Sequence, residues 1–598
     1  MKSVINILEN RITAAMAAVT AHQDCAAIVK PSTDPKFGDY QANGVMALAK
    51  KLKTNPRKLA EDVVNSLELN DICLPLEIAG PGFINLRLKN DFLAERLLKI
   101  NEDPANLAIE KTTQPKTVVL DFSCPNIAKQ MHVGHLRSTI IGDCICRMLE
   151  FLGHKVIRQN HIGDWGTQFG MLIQYLYEKA VFRKDDLKID SIIEALESIH
   201  ISDIEGFYRE AKEQFDIDEV FRRQARNRVV ELHNHSNELT EKQWRHIVDE
   251  SRKHYQPIYD QLGVNLTEED ERGESAYNDD LPDVVADLKK AKLAKESDGA
   301  VCVFPPGFKN KEGEPLPFII QKSDGAYLYA TTDLAAIRYR IDKRKADKII
   351  YVTDARQKLH FQMLFAVARM AGWATENVEL THVMFGSVLS QNGQPLKTRS
   401  GENVKLKDLL NEAVQRAKAV VEEKNPDLDD DKKDQIANAV GIGAVKYADY
   451  SNNRTSDYIF SFDKMLAMDG NTAPYMQYAY ARIKSIERKA QTKDVDIETE
   501  LSGLKKISLT EPAEIELAKY LNRYGEAIDA AAADYRPNYL TAYLYELAQK
   551  FSAFYTNCPV LQAPPNKRPT RLLLCDLTAK AIRHGLTELL GIKVVEQM

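Results

Sequence analysis

The segment 117–145 constrains the fold of this chain more than any other part of the sequence. It opens with Thr117-Val-Val-Leu120, a short apolar run typical of a buried strand. Pro125 interrupts this pattern, and apolar residues from Leu136 to Ile145 then recur at helical spacing. A strand, a tight turn and a helix N-terminus in this order predict an anion site, because free backbone N–H groups and the helix dipole both favour negative charge.

The turn before this helix carries His132, Gly134 and His135. Glycine lets a ligand approach the backbone closely, and two imidazoles offer movable protons or positive charge beside an anion. Without context, His-x-Gly-His is more typical of core or capping histidines. The strand before it and the helix after it favour a nucleotide phosphate instead.

The whole segment resembles the ATP-binding signature of class I aminoacyl-tRNA synthetases. Ser123-x-Pro-Asn126-x-Ala-Lys129, which precedes the histidines, resembles the arginyl members of that class. The resemblance implies an arginine–tRNA ligase that forms arginyl-adenylate from L-arginine and ATP. Such an enzyme would then transfer arginine to the 3′-terminal ribose of tRNA(Arg), with AMP and pyrophosphate as products.

The same resemblance implies the roles of the signature residues. His132, Gly134 and His135 would bind ATP, which enters as a substrate with Mg²⁺, and the two histidines would stabilise the pentavalent phosphate. Arginine activation would be efficient only after tRNA has bound.

Length, composition and net charge limit the class of protein to which this chain can belong. A chain of 598 residues is expected to form about three or four domains. No apolar run is long enough for a membrane span, and the N-terminus does not resemble a secretory signal. Eight scattered cysteines without CxxC pairs argue against a structural metal and against disulfides, and they suit the cytoplasm. The net charge of −6 leaves room for a local basic tRNA-binding surface.

The pattern along the chain predicts a multidomain α/β protein. Residues 1–110 read as a small α+β domain, and 111–440 as a Rossmann-like, doubly wound parallel sheet. A charged helical insertion is expected at about 172–300, and 441–598 reads as an all-α helix bundle. Strands of the sheet are predicted at Thr117–Leu120, Val156–Arg158, Lys348–Val352 and Thr381–Met384.

Two motifs of the first domain, Lys36–Asn43 and Gly80–Leu88, resemble the N-terminal domain of arginyl-tRNA synthetases, which contacts the corner of the tRNA. A basic stretch at 51–58 is otherwise typical of a solvated face.

A second candidate site lies at Tyr329 and Asp333, which are four residues apart and can face one pocket from a helix's first turn. Such a pair is otherwise an N-cap with a core aromatic. The resemblance implies six arginine-binding residues: Asp121, Ser123, Asn126, Tyr329, Asp333 and Gln357. The two carboxylates would take the guanidinium and the tyrosine would cover it. The asparagine and glutamine would hold the α-amino and α-carboxyl groups, and the serine would assist.

Two loops each allow more than one interpretation. His161–Gly170 holds three glycines, a tryptophan and an acid, and it is either a ligand wall, a Trp-anchored turn, or both. Lys397-Thr398-Arg399-Ser-Gly departs from the Lys-Met-Ser-Lys-Ser loop of the class. By resemblance Lys397 and Thr398 would contact ATP. The missing positive charge would come from Lys397, Arg399 or the upstream Lys129, unless this is a plain basic turn.

Near the C-terminus, Tyr475, Tyr478 and Arg482 share one helix face, which alone is typical of core packing. The resemblance places them in an anticodon-binding domain, where aromatic and arginine side chains stack on splayed bases. Two rivals remain: another class I synthetase, such as a cysteinyl or glutamyl type, and a non-catalytic tRNA-binding scaffold. The family further implies a monomer.

Overall fold

A computed structural model describes residues 1–181, 193–196, 198–397, 403–492 and 495–598. The chain forms two compact units: Met1–Lys111 with Ala467–Leu589 and Lys593–Met598, and Thr112–Leu466 with Leu590–Ile592.

The N-terminal part of the first unit is an α+β module. Its helices are α1 Val4–Thr20, α2 Gly44–Leu52, α3 Pro56–Ser66 and α4 Asn90–Glu102. Its strands are β1 Val29–Pro31, β2 Tyr40–Ala42, β3 Glu77–Ala79 and β4 Phe83–Leu86, which form an antiparallel sheet in the order β1-β2-β4-β3. The α+β character predicted for this part is confirmed.

The second unit is built on a four-stranded parallel sheet. Its strands are β5 Thr117–Asp121, β6 Lys155–Gln159, β10 Lys348–Asp354 and β11 Glu379–Phe385, in the order β11-β10-β5-β6. All four predicted strands are therefore confirmed, each one to three residues longer than its apolar run. The central positions of β10 are buried without alternation, as expected of a strand covered on both faces.

Helices and smaller sheets complete this unit. Between β6 and β10 lie α6 Thr167–Val181, α7 Ile204–Ile217, α8 Glu219–His233, α9 Glu238–Leu262, α10 Leu281–Lys290, β7 Ala294–Ser297, β8 Ala300–Val303, β9 Phe318–Gln321 and α11 Tyr329–Asp342. After β10 follow α12 Lys358–Met370, β12 Val388–Leu389, α13 Leu406–Lys424, α14 Asp430–Tyr450, β13 Tyr458–Ile459 and α15 Phe462–Met465. The interval predicted as a helical insertion thus begins inside α6 and closes in the antiparallel sheet β7-β8-β9.

Helix α5, Val133–Phe151, packs against the sheet at very short range. A Cβ atom on Gly142 would lie 2.3 Å from Cγ of Phe122, just after β5. Glycine is required there by the close approach of the helix to the aromatic ring, not by its backbone angles.

We expect Gly142→Ala to lower stability by about 1–3 kcal/mol, the usual cost of overpacking a core. All three tryptophans lie in the sheet unit, so urea unfolding followed by tryptophan fluorescence reports on this unit. Phe122→Leu opens space at the same contact. The double variant should therefore lose less than the sum of the two single variants, and strict additivity would contradict this packing.

Helix α14 crosses the domain limit expected at 440. Its residue Asp449 forms a buried ion pair, 2.9 Å long, with Arg137 of α5. Because this helix packs within the sheet unit, that unit extends to Leu466. The apolar period of α14 resembles that of the bundle that follows, so the sequence alone does not separate the two.

The remaining helices of the first unit are α16 Ala473–Gln491, α17 Ile497–Ser502, α18 Pro512–Leu521, α19 Tyr524–Ala533, α20 Pro537–Asn557 and α21 Arg568–Arg583, followed by a π-helical turn at His584–Leu589. They confirm an all-α C-terminal part.

These helices join the N-terminal module in one unit. The buried Arg96 donates from Nε to Asn522 Oδ1 at 2.9 Å, and the hydroxyl of Tyr40 donates to Glu526 Oε1 at 2.8 Å. Burial raises the pKa of Glu526. The two ends of the chain therefore share a core, which nothing in the sequence indicated.

Among the described residues, no helix is both long and apolar enough to cross a bilayer.

Candidate active site

A cavity of about 660 Å³ opens at the carboxyl ends of β5 and β10, next to the N-terminus of α5. Ligand sites in open α/β sheets lie at this edge, where neighbouring loops diverge. The residues predicted from the sequence that line it are Asp121, Ser123, Asn126, Gly134, His135, Tyr329, Asp333 and Gln357. The structure thus brings all six predicted arginine-binding residues together with part of the turn that was predicted to bind phosphate.

The two signature histidines close a capping box at the start of α5. His132 Nδ1 accepts from the N–H of Gly134 at 3.0 Å, and His135 Nδ1 accepts from the N–H of His132 at 3.1 Å. In this arrangement the ring proton of each neutral histidine sits on Nε2. A Cβ on Gly134 would lie 2.7 Å from the His132 ring, so glycine is needed for the cap itself.

Burial disfavours the protonated, charged form of both histidines. Burial lowers the pKa of His135 from 6.5 to about 3, and it also lowers the pKa of His132. The capping alternative and the phosphate-binding alternative are compatible, because the cap occupies Nδ1 and leaves Nε2 for a ligand.

Asp121 ends β5 with its charge already balanced. Its Oδ2 accepts from the fully buried guanidinium of Arg340, and its Oδ1 accepts from the thiol of Cys124 at 2.7 Å. Arg340 also donates from Nε to Gln159 Oε1 at 2.5 Å. A substrate cation would therefore gain less from Asp121 than from a carboxylate without such a partner.

Ser123 and Asn126 are held rigidly in the turn after β5. Ser123 has a left-handed backbone, φ +71°, and its hydroxyl lies 2.8 Å from both Thr139 Oγ1 and the Tyr259 hydroxyl. Asn126 donates from Nδ2 to Gln168 Oε1 at 2.9 Å. Ser123 is already saturated by protein partners, whereas Asn126 is exposed at the cavity.

The first turn of α11 presents Tyr329 and Asp333 to the cavity, as their spacing predicted. His360 of α12 pairs with Asp333, with 2.6 Å between Nε2 and Oδ2, and its ring centroid lies 5.0 Å from that of Tyr329. Tyr329 is 65% exposed, so it forms a rim and not a core contact. Gln357 lies at the end of a 3₁₀ turn before α12 and also lines the cavity.

Glu274 is a charged lining residue that the sequence did not predict. It begins a 3₁₀ helix at Glu274–Asp280, and burial, followed by the charges of Asp164 and Asp333, raises its pKa from 4.5 to about 7. A carboxyl group whose pKa lies near 7, with a second carboxylate in the same cavity, attracts a cation strongly. Glu274 lies in a run of charged residues within the insertion, where a solvated face is the usual interpretation.

The loop His161–Gly170 combines both roles proposed for it. Asp164 accepts from the hydroxyl of Ser275 at 2.6 Å and from its N–H at 3.0 Å, which fixes the neighbouring Glu274. Trp165 packs edge-on against Trp244 and lines the cavity. The tryptophan-anchored turn therefore forms the wall of the site.

The loop that contains Lys397, Thr398 and Arg399 is only partly described. Lys397 is exposed, and its backbone bridges to Asn403, while Thr398 and Arg399 lie outside the described residues. Lys397 does not line the cavity. Lys129 is exposed next to the phosphate-binding turn, with its Nζ 4.4 Å from the ring centroid of Tyr208.

The three residues predicted to bind tRNA lie together on α16. Tyr475 packs 5.6 Å from the ring of Tyr545, and the guanidinium of Arg482 lies 4.8 Å above the ring of Tyr555. Tyr478 is 42% exposed. Tyr475 and Arg482 are thus packed against other tyrosines of the C-terminal part, whereas Tyr478 faces solvent.

Three family models match the chain in sequence order. They are the class I (R) tRNA synthetase catalytic domain at residues 101–462, the DALR anticodon binding domain at 476–598, and the arginyl tRNA synthetase N terminal domain at 6–88.

Full-length relatives match as well. The chain is 49% identical over 597 residues to an arginine–tRNA ligase of Chromobacterium violaceum, with all of both chains covered. It is 50% identical to that of Escherichia coli strain K12, with 99% of each covered. The chain belongs to the arginyl-tRNA synthetases.

Solved structures agree with this assignment. The arginyl-tRNA synthetase of Plasmodium falciparum superposes with a TM-score of 0.83 at 32% identity, and all of both chains is covered. That of Thermus thermophilus gives 0.79 at 25% identity with the same coverage. The parallel-sheet catalytic unit, the α+β N-terminal module and the helical C-terminal part are thus those of an arginyl-tRNA synthetase, and the class I alternatives with other amino acids are excluded.

Among the described residues, no three His, Cys, Asp or Glu side chains lie close enough together to hold a metal ion.

Proposed function

We propose that the cavity binds L-arginine with its guanidinium between Asp333 and Glu274. The observation that carries this proposal is that Glu274 and Asp333 both line the cavity. Burial, followed by the charges of Asp164 and Asp333, raises the pKa of Glu274, so a cation bound there would favour its charged form. A guanidinium is planar, always charged, and suited to two carboxylates at once. Tyr329, on the rim, would cover its exposed face.

In this proposal Asp121 is mainly a structural part of the cavity wall. With Arg340 balancing its charge, it adds a hydrogen-bond acceptor and little net attraction. Asn126 and Gln357 would hold the α-amino and α-carboxyl groups, since both are polar residues at the open side of the cavity. Ser123 would support them through the backbone.

As an arginyl-tRNA synthetase the protein activates arginine with ATP and transfers it to the terminal ribose of tRNA(Arg). We propose that the arginine carboxylate attacks the α-phosphorus in line and displaces pyrophosphate, which leaves arginyl-adenylate. During this step the Nε2–H groups of His132 and His135 would donate to the phosphate oxygens. Their cap geometry pre-orients these donors, so no proton has to be relocated during the attack. The tRNA hydroxyl then displaces AMP.

Other groups are proposed to meet the phosphates of ATP. Gly134 allows the phosphates to approach the backbone closely, and Lys129 offers its ammonium group. Lys397, Thr398 and Arg399 would reach ATP from the loop after β12. Mg²⁺ would arrive on the phosphates of ATP as part of the substrate.

We also propose two surfaces that contact tRNA. The anticodon-binding part would use Tyr475, Tyr478 and Arg482, and residues 1–110 would contact the tRNA corner.

We expect Tyr478→Leu to raise the KM for tRNA by about five- to a hundredfold, the usual value of one stacked base. Tyr478→Phe should retain wild-type values, because it keeps the ring. An equal loss in both variants, measured by aminoacylation with varied tRNA, would contradict base stacking.

We also propose that the protein is cytoplasmic, since its eight cysteines form no disulfides and most are buried. The family resemblance suggests in addition that it is a monomer.

The arginine site is tested with amino acids that differ only at the side-chain end. Aminoacylation of tRNA(Arg) should proceed with arginine and fall by at least about a thousandfold in kcat/KM with citrulline, which is similar in shape but uncharged. Lysine should also fail, because its point charge cannot bridge two carboxylates. Efficient charging with citrulline would overturn the assignment of the pocket.

A further inference from the structure

The inserted helical segment makes direct contact with the phosphate-binding turn. Helix α7 carries Glu205 and Tyr208, which are three residues apart and share one face. Glu205 Oε2 accepts from the N–H of Gln130 at 3.4 Å, and the Tyr208 ring lies 4.4 Å from Lys129 Nζ. Two neighbouring residues of the turn before α5 are therefore held by one face of the insertion.

The contact to Lys129 is of a kind that orients the side chain without neutralising it. In the described part of the chain, no carboxylate lies within ion-pair distance of the Lys129 ammonium. A lysine has four rotatable stem bonds, so a charge that must meet a ligand needs something to restrict it. The face of a half-buried tyrosine does this and leaves the ammonium protons for an anion.

The same helix also faces the first signature histidine. Burial lowers the pKa of His132, and the charge of Glu205 opposes this effect while that of Lys129 adds to it. Glu205, Lys129 and His132 therefore lie close enough to influence one another's charge. The insertion is thus part of the surroundings of the phosphate site and not a separate appendage.

We propose that Tyr208 is a positioning residue of the insertion that holds the Lys129 ammonium ready for the phosphates of ATP. The inference rests on the proposed function of the cavity and extends it to a residue outside the cavity. It also assigns a role to α7, namely to restrict the turn that precedes α5.

The test compares ATP–pyrophosphate exchange in the presence of tRNA for five variants of the full chain. Tyr208→Leu removes the ring, Tyr208→Phe keeps it, Lys129→Met removes the charge, and the double variant carries both losses. Tyr175→Leu is the control for the loss of a tyrosine ring beside a lysine elsewhere in the insertion. Tyr175, in the neighbouring helix α6, has its ring 4.7 Å from Lys179 Nζ, and Lys179 in addition forms an ion pair with Glu210 at 3.1 Å.

We expect Tyr208→Leu to lower kcat/KM for ATP by about two- to fivefold, the range of an exposed cation–π contact. The KM for arginine should stay unchanged, and Tyr208→Phe should equal the wild type. Tyr208→Leu added to Lys129→Met should cost nothing further, because its effect passes through Lys129.

Three outcomes would overturn the proposal: additive losses in the double variant, an equal loss in Tyr175→Leu, or faster exchange in Tyr208→Leu, which would mean that the ring holds Lys129 back. Absence of arginine-dependent exchange in the wild type would instead refute the proposed function. The two failures are thus distinguishable.

Discussion

Asp333→Asn should raise the KM for arginine by about two to three orders of magnitude in ATP–pyrophosphate exchange with tRNA present. Removing one partner of a desolvated charge pair costs about 2–5 kcal/mol, much of it from the charge left without its partner. Asparagine keeps the size of the side chain and can still contact His360. The loss therefore reports the missing charge and not a collapsed pocket.

His360→Gln is the control for this variant. It removes the contact to Asp333, 2.6 Å in the wild type, but leaves the carboxylate in the cavity. We expect a much smaller rise in KM than for Asp333→Asn. Affinity for tRNA, measured by filter binding, should be unchanged in both variants, and a normal KM for arginine in Asp333→Asn would refute the assignment of the guanidinium site.

Glu274→Gln should weaken arginine binding by about ten- to a hundredfold at pH 8, the range for a hydrogen bond to a charged group. The substitution should also abolish the pH dependence of the affinity for arginine. The pKa of Glu274 is raised to about 7 in the free enzyme, so below pH 7 arginine must displace a proton from this carboxyl. Each unit of pH below 7 then costs up to tenfold in affinity, and above 7 the affinity levels off.

Stability should show the opposite dependence on pH. A carboxyl whose pKa is raised on folding binds more protons in the folded state, so its contribution to stability is lost as pH rises from 4.5 to about 7. Glu274→Gln should therefore melt above the wild type at pH 8 in the absence of arginine, with a smaller difference at pH 5. A wild-type arginine affinity that does not change between pH 5.5 and 8 would contradict this role of Glu274.

The parts that the sequence predicted are those governed by local pattern. The strand β5, the turn and α5 follow from apolar runs separated by Pro125, and the spacing of Tyr329 and Asp333 predicted one shared face. The family resemblance then named six pocket residues, and the structure places all six around one cavity. Short-range periodicity and an ordered set of motifs were sufficient for this.

What escaped prediction depends on contacts between distant segments. Glu274 reaches the cavity because Ser275 binds Asp164, more than a hundred residues earlier, and no local pattern marks such a pairing. Arg340 neutralises Asp121 from the far end of α11, which the first-turn pattern of that helix does not reveal. The charge state of each group follows from burial, which periodicity indicates only for apolar residues.

The domain boundaries likewise depend on contacts between distant segments, which local sequence patterns do not predict. The expected boundary at 440 fell inside α14, because the ion pair between Arg137 and Asp449 ties that helix to the sheet unit. The chain termini share one unit through Arg96 and Asn522, an arrangement for which the sequence carries no signal.

ATP–pyrophosphate exchange with each amino acid, with and without total tRNA, is the decisive measurement for the proposed arginine site. We expect exchange with arginine alone, appearing only when tRNA is present, and lost in Asp333→Asn at arginine concentrations that saturate the wild type. Exchange driven by another amino acid, or arginine-dependent exchange that survives in Asp333→Asn with an unchanged KM, would contradict the proposed site.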